Sequence, residues 1–487
     1  MKFKSQAVCQ PCRDRKIGCD GKRPACTQCL HFREACPGYQ QQHVIFVHQA
    51  PGATRNNTDL HQRRRGIRPA PRGVSSATGN VLLNFTKFRW STAEELLAVA
   101  IDHFIPGLKV PVSLSELYTS QSLVCASWLD ALPHLINEER YGSLLLQTVR
   151  TLGLSILCKE QAKKECDSQR LRCYCSAIHQ LRSRLLLSDD HCREQTVAAI
   201  MSLTLAELVM PTSQKGWIAH VRAVGEIMRI IGPDQFTVST AHRLFVGFRP
   251  IILIEAILSR TPTFLELNEW QSVPFQKHFP SPMQQLLSCA AVLPSLLQQT
   301  DSVKQVPPQN SVAERREVAL ALTKILMNLQ QWELSYKNSF REPLYWPKSK
   351  GATSGDTSIQ SFWFPNALTA TALIHSWAFQ IICRAQIDQL EGLNRVPRGF
   401  GDLDTGSTFQ ILEGPVDFSI RICQSMDYFL DDQMKIYGPA AAIFPFQIAY
   451  ETLLLYLRPY SNQVKVCKAI IVRFSQKGFD VKPSASQ

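Results

Sequence analysis

Residues 9–36 read CQPCRDRKIGCDGKRPACTQCLHFREAC, six cysteines in twenty-eight residues, with the spacing C-x2-C-x6-C written twice. Zinc favours a tetrahedron of four ligands, and thiolate is among its preferred donors. A C-x2-C knuckle grips one ion from a tight turn, and a third cysteine seven residues on can lie at the far end of a short helix. Each half therefore offers three sulfurs, one short of a closed site. Six sulfurs complete two tetrahedra if one sulfur from each half bridges both ions. The first cysteine of each half, Cys9 and Cys26, is the expected bridge, with Cys12, Cys19, Cys29 and Cys36 terminal. Two Zn²⁺ and six thiolates leave a charge of about −2. Arg13, Arg15, Lys16, Lys22 and Arg23 are near enough in sequence to compensate it and remain free to meet phosphate.

The distribution of charge supports a polyanionic partner. Residues 1–90 hold 16 Lys and Arg against 4 Asp and Glu, so this end carries +12 of the chain's +13. A basic end joined to a neutral bulk fits nucleic acid better than membrane. The N-terminus has no apolar core of a secretory signal, and the longest apolar runs, such as PIILIEAIL near residue 250, fall short of the roughly 18 residues that span a bilayer. The expectation is a chain without membrane partners in a reducing compartment. There, clustered cysteines point to metal and scattered ones to small buried apolar side chains. A disulfide framework would need an oxidising compartment, and a single zinc would leave two thiols unexplained. His31 lies inside the second half, but the sulfur count already closes without it.

The stretch resembles the fungal Zn2Cys6 binuclear-cluster family of transcription regulators. The resemblance rests on CRDRKIGCD, on Pro24 two residues before Cys26, and on CPGY at 36–39. It implies a zinc-stapled module of two short helices over residues 1–40, holding two zinc ions on all six cysteines. In that family the first helix enters the DNA major groove. The resemblance places Lys16 at the base-contacting position, aimed at guanine N7 and O6. Arg13, Arg15, Lys22 and Arg23 are then expected on phosphates, which give affinity without sequence choice. The implied target is a CGG-like triplet. One departure stands out: many members carry a basic residue directly before the third cysteine, where this chain has Gly18, so one phosphate or groove contact is in doubt.

From 41 to 90 the composition turns to Gln, Pro, Gly, Ser and Arg, which cannot pack a core and reads as a flexible basic linker. RRRGIRPAPR at 63–72 is a candidate import or phosphate-binding segment, or else a solvated basic run. No apolar heptad pattern persists through three or four repeats, which leaves monomeric binding or a homodimer through the large domain.

Residues 91–487 read as one all-α domain. Ser91 followed by Glu94 suggests a capping box before STAEELLAVAIDHFI. In GWIAHVRAVGEIMRIIGP, Trp217, Val221, Val224 and Met228 form one stripe that stops at Gly232 and Pro233. Breaks near 302–312, 345–360 and 391–416 read as loops. The stretches GWIAHVRAVGEIMRIIGP, HRLFVGFRP, TFLELNEW, ICQSMDYF and YGPAAAIFPFQIAY are similar to the fungal-specific regulatory domain found behind such clusters. Cys166, Cys173, Cys175 and His179 cannot converge from a single helix, so the cysteines read as buried free thiols. His220 reads as a hydrogen-bonded packing residue, and Trp217 as core.

Together these readings describe a nuclear, zinc-dependent, sequence-specific DNA-binding regulator of RNA polymerase II genes. By resemblance it serves a specialised or secondary-metabolism pathway and works with co-regulators or the transcription machinery. No H-E-x-x-H, G-x-S-x-G or phosphate-binding glycine loop is present, and no catalytic residue is expected. The alternatives are an enzyme or metabolite-binding helical protein that uses the zinc module only as a tether, and an RNA-binding or protein-interaction module.

Overall fold

The chain divides into two units, residues 1–83 and 84–487. The computed structural model describes residues 11–12, 15, 17, 19 and 27–32 of the first, and 92–105, 127–138, 144–161, 164–186, 193–213, 215–348, 360–392, 414–457 and 461–481 of the second. The expected linker at 41–90 lies outside the described residues.

In the first unit, helix α1 spans Thr27–His31. The second unit is a succession of helices. Helix α2, Ala93–Phe104, begins one residue later than the sequence suggests. Thr92, not Ser91, is the cap: its Oγ1 accepts from the Glu95 amide at 3.2 Å, and Glu95 Oε2 accepts from the Thr92 amide at 2.9 Å. The same Ser/Thr-x-x-Glu chemistry fits both frames. The structure takes frame 92, and Leu96, Leu97, Ala100 and Phe104 turn inward together.

Three helices follow after Leu132–Glu138 (α3): α4 at Leu144–Gln161, α5 at Lys164–Leu186 and α6 at Arg193–Val209. Helix α4 buries Leu145, Val149, Leu152 and Ile156. Its buried hydroxyls bond back to the helix: Thr148 donates to Leu145 O at 2.8 Å and Ser155 to Thr151 O at 2.8 Å, so polar residues enter the core without orphaned groups. A disulfide between Cys158 and Cys166 joins the end of α4 to the start of α5, with Cα atoms 5.5 Å apart. This corrects the reading of Cys166 as a free thiol. The two cysteines are eight positions apart across the helix turn, a proximity that no single-helix projection can reveal.

Helix α7, Gly216–Ile231, buries Val221, Val224 and Met228, and Trp217 packs on the core's edge. It stops where expected: Gly232 takes φ 86°, and its amide caps Met228 O at 3.0 Å. Pro233 then forbids continuation. Next come α8 (Ser239–Ser259), α9 (Asn268–Ser272), α10 (Pro282–Ala290), α11 (Leu293–Lys304) and the long α12 (Val312–Asn338).

Helix α13, Ala367–Leu390, is buried on every side from Leu368 to Cys383, the signature of a helix at the centre of a body rather than on its surface. Trp377, Leu373, Ile374 and Phe379 are fully buried. Several of its polar groups are matched by neighbours. Trp377 Nε1 donates to Glu333 Oε1 on α12 at 3.1 Å, and Thr369 Oγ1 meets Tyr336 OH at 2.9 Å. Thr371 Oγ1 meets Tyr437 OH at 2.9 Å on α15, Tyr437–Tyr456. Before α15 runs α14, Pro415–Phe429, and the two approach so closely at Gly438 that a Cβ there would collide with Phe429 O. The last helix, α16, spans Asn462–Gln476.

One departure from the all-α expectation brackets the region read as a loop at 345–360. Strands β1, Trp346–Lys348, and β2, Ser361–Trp363, pair antiparallel with Trp346 opposite Trp363. Three-residue strands leave too little alternation to register in sequence. Lys348 Nζ, 3.6 Å from the centre of the Trp363 ring, ties the pair. No helix among the described residues is long and apolar enough to cross a membrane.

Candidate zinc and DNA-binding module

Pro11 and Cys12 open a helical turn that the backbone carries forward: the Arg15 amide bonds Pro11 O at 3.2 Å, and the Ile17 amide bonds Cys12 O at 3.0 Å. Proline at a helix start is favoured because its missing N–H would find no partner there. The second half repeats the plan with α1, extended by the Phe32 amide to Gln28 O at 3.0 Å. Of the expected two short helices, one is described in full and the other as this opening turn.

Cys12, Cys19 and Cys29 are 1%, 6% and 1% exposed. In a segment this polar, burial of three thiols is not core packing in the ordinary sense. It places sulfur inside, the arrangement a thiolate-bound metal demands. Cys9, Cys26 and Cys36 lie outside the described residues, and among those described no three ligand side chains form a closed metal site. The donor chemistry fits zinc. His31 is exposed and sits edge-on to Phe32, with ring centres 5.6 Å apart.

Of the expected DNA contacts, Arg15 is the one described. Its guanidinium lies 4.8 Å from the centre of the Phe32 ring, so a residue of the first cysteine half rests on a residue of the second. Sequence reasoning missed this stacking, since Phe32 carried no signal beyond being aromatic. Arg13, Lys16, Lys22 and Arg23 lie outside the described residues.

Residues singled out in the helical body do not come together. Cys166 is held in the disulfide, Cys173 is half-buried and His179 is exposed; Cys175 is exposed too, which corrects its reading as a buried thiol. His220 is buried, and its Nε2 lies 3.0 Å from Tyr174 OH. Burial lowers its pKa, with the Glu207 carboxylate opposing the shift. This is the hydrogen-bonded packing role expected of it.

Comparison with known proteins bears on this module alone. Residues 7–43 match the fungal Zn(2)-Cys(6) binuclear cluster domain, a domain that binds two zinc ions. Over 33 residues the chain is 48% identical to a protein named transcription regulator galc from Aspergillus niger. That alignment takes in 7% of this chain and 4% of the relative. No solved structure matches the chain.

Proposed function

We propose that the chain is a zinc-dependent, sequence-specific DNA-binding regulator of transcription that acts in the nucleus on RNA polymerase II genes. The observation that carries this reading is the doubled C-x2-C-x6-C spacing, whose described thiols are buried in an otherwise polar segment and whose residues match the Zn(2)-Cys(6) cluster domain. The relative's name, transcription regulator, supports it.

In mechanism, bound zinc supplies the folding energy that so small a unit lacks and fixes the two helical turns against each other. Cys9, Cys12, Cys19, Cys26, Cys29 and Cys36 hold the two ions. Lys16 reads guanine acceptors of a CGG-like triplet in the major groove. Arg13, Lys22 and Arg23 meet phosphates and set the register. Arg15, stacked on Phe32, reaches the backbone from a fixed position rather than as a free side chain. The helical body serves co-regulators, and self-association takes place through it. A specialised metabolic pathway is the proposed target.

Competition among a CGG-containing duplex, a scrambled duplex and RNA tests the reading. The CGG duplex is expected to win, with affinity falling as salt rises because cation contacts release counterions. Equal binding to all three would remove sequence-specific recognition. Lys16→Ala is expected to keep zinc yet lose base preference, at a cost of about 1–3 kcal/mol.

A further inference from the structure

Arg249 lies on α8 with no solvent exposure at all, among the largest fully buried side chains of the chain. Its surroundings are built around a proline. Pro250 has no amide hydrogen to return to the carbonyl four residues back, which frees Val246 O. Gln284 on α10 fills that place, its Nε2 donating to Val246 O at 2.8 Å. The same amide group turns Oε1 toward Arg249, which donates from one terminal nitrogen to Gln284 Oε1 at 3.1 Å and to Gln284 O at 2.9 Å. The other terminal nitrogen donates to Ser288 Oγ at 2.9 Å. Phe275 and Phe245 flank the guanidinium, their ring centres 5.3 and 5.8 Å from it.

Every acceptor in this set is neutral. Arg249 Nε is buried and has no hydrogen-bond partner. Carboxylates on neighbouring elements are engaged elsewhere: Glu255 with Arg222 at 2.8 Å, Asp130 with Arg243, and Glu266 with Ser295. Cys289 is close enough to interact electrostatically, but burial raises its thiol and keeps it protonated at neutral pH. His242, stacked on His278 at 4.5 Å and edge-on to Phe275, contributes no negative charge. Burial pulls the guanidinium down to about 9, which leaves it charged at neutral pH. An isolated buried charge is among the most unfavourable arrangements in a protein, and the usual remedies are a paired carboxylate or a bound counter-ion. Among the described residues the first is missing.

We infer that Arg249, with Gln284 and Ser288, forms an internal receptor for a small anion of the carboxylate or inorganic type, taken up on the Nε edge of the guanidinium between α8, α10 and the 273–281 segment. Gln284 and Ser288 hold the terminal nitrogens in place, so the remaining edge presents a fixed donor, the geometry that favours planar carboxylate recognition. Such a site would let the abundance of a small acid set the stability of the helical body. It stands independently of the DNA-binding reading.

The test is thermal unfolding of the zinc-loaded full chain at constant ionic strength, exchanging a bulky sulfonate for acetate, chloride or phosphate. Wild type is expected to gain a saturable rise of at least about 2 °C with one or more of the three, by mass action on the folded state. Arg249→Met, which keeps the volume and removes the charge, is expected to lose that rise. A flat wild type, or an equal rise in both proteins, overturns the inference. If Arg249→Met does not fold, equilibrium dialysis of radiolabelled acetate, with chloride and phosphate as competitors, decides on wild type alone. Saturable binding near one equivalent that persists when a DNA duplex occupies the basic module supports the site. Failure of all three anions to bind saturably, or binding abolished by the duplex, overturns it.

Discussion

Cysteine does opposite work in the two units of this protein. In the module, Cys12, Cys19 and Cys29 are buried in a stretch of sequence rich in Arg and Lys, in a segment matching a domain that binds two zinc ions. In the helical body, Cys383 is equally buried but lies on α13 among Trp377, Phe379 and Ile381. There burial pushes its thiol up to about 12. Cys423 Sγ sits 3.5 Å from Cys467 Sγ, and that contact together with burial holds Cys423 well above the ordinary thiol value. A thiol becomes a metal ligand where its surroundings favour the thiolate, and a small apolar side chain where they do not. One unit should therefore fall apart without metal, and the other should be indifferent to it.

Removing zinc should separate the units most sharply. Structural zinc in small modules is worth roughly 10–16 kcal/mol. A strong chelator, or Cys19→Ser, is expected to abolish DNA binding while the thermal transition of the helical body stays in place by calorimetry. A body transition that fell with the metal would break the division. The converse perturbation is Trp377→Ala. It empties the centre of the core and leaves Glu333 without its indole donor, at an expected loss of about 3–5 kcal/mol in urea unfolding with zinc content unchanged.

Acid should act on the body through His375. This residue is 3% exposed, its Nδ1 lies 2.8 Å from Thr371 O, and burial lowers its pKa to about 4. An unfolded chain takes up this proton near 6.5, the native chain only near 4. Between those values the unfolded state binds more protons, so stability declines as pH falls through that window, by up to roughly 3 kcal/mol from this group. Urea midpoints at pH 7 and pH 4.5 should differ less for His375→Gln than for wild type; equal differences would remove His375 as the cause. The smallest effect expected is Thr92→Ala, which deletes the α2 cap at a cost of about 1 kcal/mol.

The sequence was most legible where chemistry is local. The cysteine spacing, the α7 stripe and its Gly232 stop each depend on residues a few positions apart: the first matches the Zn(2)-Cys(6) cluster domain, and the other two stand in the fold. The α2 cap slipped by one residue because Ser91 and Thr92 each stand three residues before a glutamate. Cys158 and Cys166 escaped notice because their meeting depends on how α4 folds back against α5. The stacking of Arg15 on Phe32 and the engagement of Gln284 with both Val246 O and Arg249 join residues 17 or more positions apart, and only the folded chain brings them together.

The central claim is that six thiolates of residues 9–36 hold two zinc ions and thereby fold the module. Elemental analysis of the reconstituted full chain, beside Cys19→Ser, tests it most directly. Two zinc per wild-type chain, with loss of metal and of DNA binding in the variant, is the predicted result. One zinc or fewer in wild type, or a variant that keeps both ions and full DNA affinity, would contradict it.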